Sequence, residues 1–117
     1  SVEKLKQDFE TFGFFFDSIF TRDVRVYAQS LDGEVYHYND SSGLEVDLII
    51  ELRDGRWAGI EVKLGENEVE KAAFNLLKLA DIHKNKKPSF LMILTNTELC
   101  YQREDGVYVV PIGCLKY

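Results

Sequence analysis

The alternation of apolar and polar residues between Leu44 and Leu64 constrains this chain more than any other feature. Leu44-Glu45-Val46-Asp47-Leu48-Ile49-Ile50 and Ala58-Gly59-Ile60-Glu61-Val62-Lys63-Leu64 both run with period two, the mark of half-buried strands. Arg53-Asp54-Gly55 lies between them as a hairpin signal. A two-residue Asp54-Gly55 loop would set Leu48 against Glu61 and Val46 against Lys63, mixing the two faces. A three-residue loop with Gly55 in the left-handed conformation, a type I turn plus bulge, avoids this. It places Leu44 opposite Leu64, Val46 opposite Val62, Leu48 opposite Ile60 and Ile50 opposite Ala58. One face of the hairpin is then wholly apolar.

The same register puts Asp47 directly opposite Glu61, and Glu45 directly opposite Lys63. Like charges facing each other across a strand pair are destabilising. A divalent cation shared by the two carboxylates would account for them, since hard cations such as Mg²⁺ take oxygen ligands and keep several waters. The competing account is a solvated face on which a Glu45–Lys63 ion pair offsets the repulsion.

At 117 residues the chain is expected to form one domain, residues 1–117. Hydrophobic residues make up 45% and charged residues 29%, which excludes a disordered chain. No apolar run is long enough to span a bilayer; Phe14-Phe15-Phe16 is far too short. Cys100 and Cys114 match no metal or redox spacing and read as reduced thiols of a cytoplasmic protein. A net charge of −6 opposes non-specific binding to a polyanion. The chain begins at Ser1, consistent with a piece cut from a longer protein.

Residues 2–31 carry helical periodicity, with Phe9, Gly13, Phe20, Val24, Tyr27 and Leu31 on one stripe. Asp17 falls inside that stripe, where a carboxylate is costly unless it is paired or binds a metal. Phe14 and Phe15 point away from the stripe, so either the domain wraps this helix or a partner covers it. That partner is the remainder of a longer protein or a second copy in a homo-oligomer. Glu34 to Tyr38 reads as a strand, and His37 on it is given no role. After Gly65, Asn67 and Glu70 resemble a capping box. The following helix shows an apolar stripe of Val69, Ala72, Ala73, Leu76, Leu77 and Ala80, with Lys71, Asn75 and Lys78 on solvated sides. Phe90 to Leu94 is apolar on both faces, as in a buried strand parallel to a neighbour. Cys100 to Arg103 and Val107 to Val110 flank Glu104-Asp105-Gly106 as a second hairpin. The fold class is α/β, with a central mixed sheet flanked by two helices.

A helix, a three-strand meander carrying an aspartate and Glu-Xaa-Lys, then a helix and a strand: this order resembles the restriction-endonuclease-like core of the PD-(D/E)XK nuclease superfamily. Matched residue by residue, Asp47 takes the second-strand position, Glu61 and Lys63 the third-strand position, and Asp17 the helix position. A closer resemblance runs from Asp8 to Leu115. Thr11-Phe12-Gly13-Phe14-Phe15-Phe16-Asp17-Ser18, Arg22-Asp23-Val24-Arg25-Val26-Tyr27-Ala28, Gly43-Leu44-Glu45-Val46-Asp47 and Ile60-Glu61-Val62-Lys63-Leu64-Gly65 are similar to the C-terminal domain of a bacterial and archaeal AAA-type ATPase family, a domain catalogued as of unknown function. In that family the domain follows an N-terminal P-loop ATPase module, for which this chain has no Gly-rich stretch. The family often has glutamate where Asp17 stands, and commonly an arginine where Asn39 stands.

The resemblance implies Mg²⁺- or Mn²⁺-assisted phosphodiester hydrolysis on nucleic acid. Asp47, Glu61 and the Val62 carbonyl would hold the metal, Lys63 would orient the attacking water, and Asp17 would support the ion. The alternative is an inactive interaction module that regulates the ATPase through the Phe14–Phe15 side of its first helix.

Overall fold

The computed structural model of the chain describes residues 33–111. The strands are β1 (Gly33–Asn39), β2 (Glu45–Leu52), β3 (Trp57–Val62), β4 (Phe90–Thr95), β5 (Tyr101–Gln102) and β6 (Tyr108–Pro111). A 3₁₀ turn, Glu66–Glu68, leads into the helix α1 (Val69–Ile82), which links β3 to β4. All six strands join one sheet in the order β1-β2-β3-β4-β6-β5. β1, β2 and β3 form an antiparallel meander, β4 runs parallel to both β3 and β6, and β5 closes an antiparallel hairpin with β6. The expected α/β class with a mixed central sheet is therefore observed. Of the two expected helices, α1 is the α-helix among the described residues. The first, with Asp17, Phe14 and Phe15, lies outside them.

The sheet carries a core on each face. Ile50, Ala58, Ile60, Phe90, Met92, Leu94, Tyr108 and Val110 form one cluster. On the α1 side, Val46, Ile49, Trp57, Leu91, Ile93 and Val109 meet Val69, Ala72, Ala73, Leu76 and Leu79. β4 is buried along its whole length, and its alternate residues supply both clusters, as its uninterrupted apolar run implied. Each such side chain, fully buried, contributes roughly 1.5–3 kcal/mol.

Two expectations about α1 are corrected. Leu77 is 37% exposed, whereas Leu79 is buried: at 3.6 residues per turn the stripe through Val69, Ala72, Ala73 and Leu76 continues to Leu79. Asn67 does not cap the helix. It sits within the 3₁₀ turn, and Glu68 occupies the cap position without a side-chain hydrogen bond. The Asn67 Oδ1 instead lies 2.7 Å from where a Cβ on Gly65 would be, a placement that only glycine at 65 allows.

The β2–β3 turn has the expected three-residue form. Leu52 N–H donates to the Arg56 carbonyl at 2.8 Å, Gly55 N–H donates to the Leu52 carbonyl at 2.9 Å, and Gly55 has φ +93°. Asp54 fixes the turn by accepting the Arg56 N–H at 3.0 Å. The β5–β6 turn repeats the design: Gly106 has φ +92° and Asp105 accepts the Val107 N–H at 3.1 Å. An L-residue with a Cβ in this conformation costs about 1–2 kcal/mol. Gly55→Ala and Gly106→Ala should each lower stability by that amount in urea titrations. At Gly106 no atom lies within 4 Å of the added methyl, so its loss would be purely conformational. An unchanged midpoint for Gly106→Ala would show that the turn tolerates another conformation.

Candidate functional site

The register of the meander changes where the candidate acids lie. On β1 and β2, Tyr36 pairs with Ile49 but Tyr38 pairs with Val46. Asp47 and Leu48 together therefore stand against His37 alone, which is a β-bulge. The bulge flips the alternation of β2. Leu48 and Ile50 pack on the face away from α1, but Leu44 and Val46 pack on the α1 side with Ile49. The single apolar face expected from the hairpin pattern is corrected accordingly.

The bulge also ends the β2–β3 ladder. Paired residues run from Glu51 and Trp57 to Leu48 and Ile60, so Asp47 and Glu61 are not backbone partners as the register alone implied. Their side chains take over the gap. Asp47 N–H donates to Glu61 Oε1 at 2.7 Å, and Val62 N–H donates to Asp47 Oδ2 at 2.8 Å. Each carboxylate thus satisfies a backbone amide that the broken ladder leaves exposed. On the other side β3 stays stitched to β4, with Lys63 N–H donating to the Leu94 carbonyl at 2.9 Å. Lys63 Nζ lies 3.7 Å from Glu61 Oε2.

Glu61 is 2% exposed, one of two buried polar residues among those described. Burial is the main reason its carboxyl titrates above the ordinary glutamate range, and the charge of Asp47 adds to it. The Asp47 N–H and the Lys63 ammonium oppose the shift without cancelling it. A buried acid beside a second acid is costly to keep, and such groups concentrate at functional clefts.

The cleft in front of this pair has a volume of about 360 Å³. Gly43, Glu45, Asp47, Glu61 and Lys63 form its sheet side, and Asn67, Glu68, Lys71 and Asn75 close it from α1 and the turn before it. Lys71 is exposed, as its expected place on a solvated side implied, and Asn75 is half-buried; the expectation did not include their place at the cleft. A signal for them exists in the sequence: they stand four residues apart beside the apolar stripe, on the first turns of the helix that follows Glu61 and Lys63.

Of the residues singled out in the sequence, Asp47, Glu61 and Lys63 come together, and Val62 contributes its N–H to the same cluster. Asp17 lies outside the described residues. Two carboxylates with Asp47 Oδ1 and Glu61 Oε2 outside the amide bonds are a hard-oxygen donor set that suits Mg²⁺ or Mn²⁺, which take one or two carboxylates and fill the remaining positions with water. Among the described residues no group of three or more His, Cys, Asp or Glu side chains could hold a metal ion. No described helix is long and apolar enough to cross a membrane.

A protein-family model matches residues 12–115, and its description is "Domain of unknown function (DUF4143)". No curated protein and no solved structure matches the chain.

Proposed function

The chain belongs to the DUF4143 family of domains, and from that premise we propose that it is a nuclease-like domain whose Asp47–Glu61–Lys63 cleft serves divalent-cation-assisted hydrolysis of phosphodiesters. The observation that carries this reading is Glu61: a carboxylate 2% exposed, beside a second acid and a lysine, at a bulge that opens the sheet onto a cleft. Such a bulge re-aims side chains at the cost of ladder hydrogen bonds. The meander, crossover helix and parallel fourth strand also follow the order that the PD-(D/E)XK resemblance implies.

In this reading Asp47 and Glu61 hold the cation, with the Val62 carbonyl and Asp17 as further candidate donors. When bound, Mg²⁺ or Mn²⁺ polarises a phosphoryl oxygen and acidifies water. Lys63 orients the attacking water and offsets charge that develops on the phosphate. Lys71 and Asn75 present a cation and an amide to the phosphate from the helix side. Four acids against two lysines line the cleft, and the chain carries six net negative charges. Substrate delivery therefore falls to an N-terminal P-loop ATPase module.

A second reading is favoured by the two amide bonds. Carboxylates that already staple β2 to β3 serve a nuclease-fold interaction module as well as an enzyme. The two readings separate on Asp47→Asn, which keeps an oxygen for the Val62 N–H but removes the charge. Millimolar Mn²⁺ should raise the melting temperature of the native chain and not that of Asp47→Asn. DNA cleavage by the chain alone should be slow and should disappear in Lys63→Ala. No thermal response to Mg²⁺ or Mn²⁺ would favour the interaction module.

A further inference from the structure

A second cavity, of about 200 Å³, opens between β1, β2 and the C-terminal end of α1. Four of its lining residues are aromatic or heteroaromatic: Tyr36, Tyr38, Trp57 and His83. Three of these rings hold one another in place. His83 meets Tyr38 edge-on at 6.2 Å between centroids and 85°, and meets Trp57 at 6.0 Å and 72°. Trp57 is fixed by its Nε1–H, which donates to the Lys86 carbonyl at 2.8 Å. The Tyr38 hydroxyl donates to Asp40 Oδ2 at 2.9 Å. The fourth ring, Tyr36, is 40% exposed. A wall of rings held edge to edge, with the Tyr36 and His83 side chains exposed, is preformed for a flat ligand and gives up little freedom on binding.

We propose that this cavity is a nucleobase subsite, which takes one base of a strand whose phosphate lies in the Asp47–Glu61–Lys63 cleft; it rests on the reading of that cleft given above. The rim selects the ligand. Glu51 and Lys86 both line the cavity, so a cation drawn to the rings and Glu51 meets the lysine charge, and an anion meets the glutamate. An uncharged planar group carrying both donors and acceptors satisfies both; the carboxylate accepts from an exocyclic amine as glutamate does from cytosine. The volume lies below the roughly 300–1,000 Å³ of pockets for drug-sized ligands, which fits one ring system and not a whole nucleotide.

The helix ties this cavity to the cleft. Lys71, Asn75, Leu79 and His83 follow one another at intervals of four along one side of α1, with His83 at its C-terminal cap. The first two line the cleft and the last two line the aromatic cavity. On β2, Asp47 of the cleft and Glu51 of the cavity are four residues apart, about 13 Å along the strand, so the base that enters the cavity belongs to a nucleotide next to the one whose phosphate lies in the cleft. Stacking is also the binding mode open to an acidic domain. It works on the face of the base, whereas phosphate contacts are opposed by six net negative charges.

Trp57 is the single tryptophan of the chain, so its fluorescence reports on this cavity directly. The chain is titrated with adenosine, cytidine, ribose 5-phosphate and choline. Adenosine and cytidine should quench saturably in the millimolar range and ribose 5-phosphate should not. Tyr36→Ala, at an exposed position, should weaken nucleoside binding about tenfold, and Tyr36→Phe should not weaken it. Asp47→Asn should leave it unchanged. Absence of saturable quenching by both nucleosides, or quenching untouched by Tyr36→Ala, overturns the proposal. Choline binding more tightly than adenosine does so too, by making the cavity a cation site. Nucleoside binding in a chain that shows no response to Mn²⁺ would overturn the cleft reading and the link to a phosphate there, and leave the cavity a nucleobase site alone.

Discussion

Glu61→Gln should make the domain more stable at pH 7 than the native chain, by about 1 kcal/mol, a gain of a few degrees in melting temperature. Glutamine keeps a carbonyl oxygen for the Asp47 N–H, which Glu61 Oε1 accepts at 2.7 Å, and it removes a charge from a site 2% exposed. The attraction of Lys63 is lost, but its Nζ is 3.7 Å away and its side chain is one-third exposed, so the relief of burial and of repulsion from Asp47 dominates. The pH dependence has a definite sign. Burial raises the Glu61 carboxyl above the value of about 4.5 at which a glutamate titrates in the unfolded chain. Below that pH both states are protonated and the native chain carries no penalty. As pH rises through the unfolded value, the unfolded state releases its proton first, and native stability falls until the folded carboxyl has titrated as well. The advantage of Glu61→Gln should therefore be small at pH 4 and grow toward neutrality. Millimolar Mn²⁺ should narrow the gap by stabilising the native chain alone. A variant less stable than the native chain at pH 7 would show that the Lys63 ion pair outweighs burial.

The same residues show how far the sequence could be read. The β2–β3 turn was legible because Leu44–Ile50 and Ala58–Leu64 alternate and Asp54-Gly55 carries the left-handed glycine. The bulge at Asp47-Leu48 was not. Leu48-Ile49-Ile50 is apolar three times running, so it can bury either phase of the alternation, and the flip that carries Val46 to the α1 side leaves no trace in the pattern. Asp47, Glu61 and Lys63 were found because they break an apolar pattern with charge. Lys71 and Asn75 were not, because polar residues beside a helical stripe are ordinary on a solvated face. The cavity around Tyr36, Tyr38, Trp57 and His83 gathers residues from β1, β2, β3 and the end of α1, and no spacing along the chain records such a meeting.

The largest loss of stability is expected at the contact between α1 and β3. Leu76 is fully buried in the cluster between helix and sheet, and Leu76→Ala should cost about 2–5 kcal/mol in urea unfolding, by lost burial plus the cavity left behind. Gly59 lies beneath it. A Cβ on Gly59 would sit 3.2 Å from Leu76 Cδ2 and 3.2 Å from Leu91 Cδ2, so this glycine is what lets the helix approach β3 so closely. Gly59→Ala alone crowds two leucine methyls, which must give by a few tenths of an ångström, while it gains the conformational preference of alanine over glycine in a strand, of roughly 0.5–1 kcal/mol. Its net effect should be under about 1 kcal/mol. Combined, the two changes compensate: the methyl added by Gly59→Ala enters the space that Leu76 vacates and the crowding disappears. The double variant should be more stable than the sum of the single effects by about 0.5–1 kcal/mol, a coupling in the range seen for residues in direct contact. Strict additivity would mean that helix and sheet shift apart when Leu76 is shortened, so that the added methyl fills nothing.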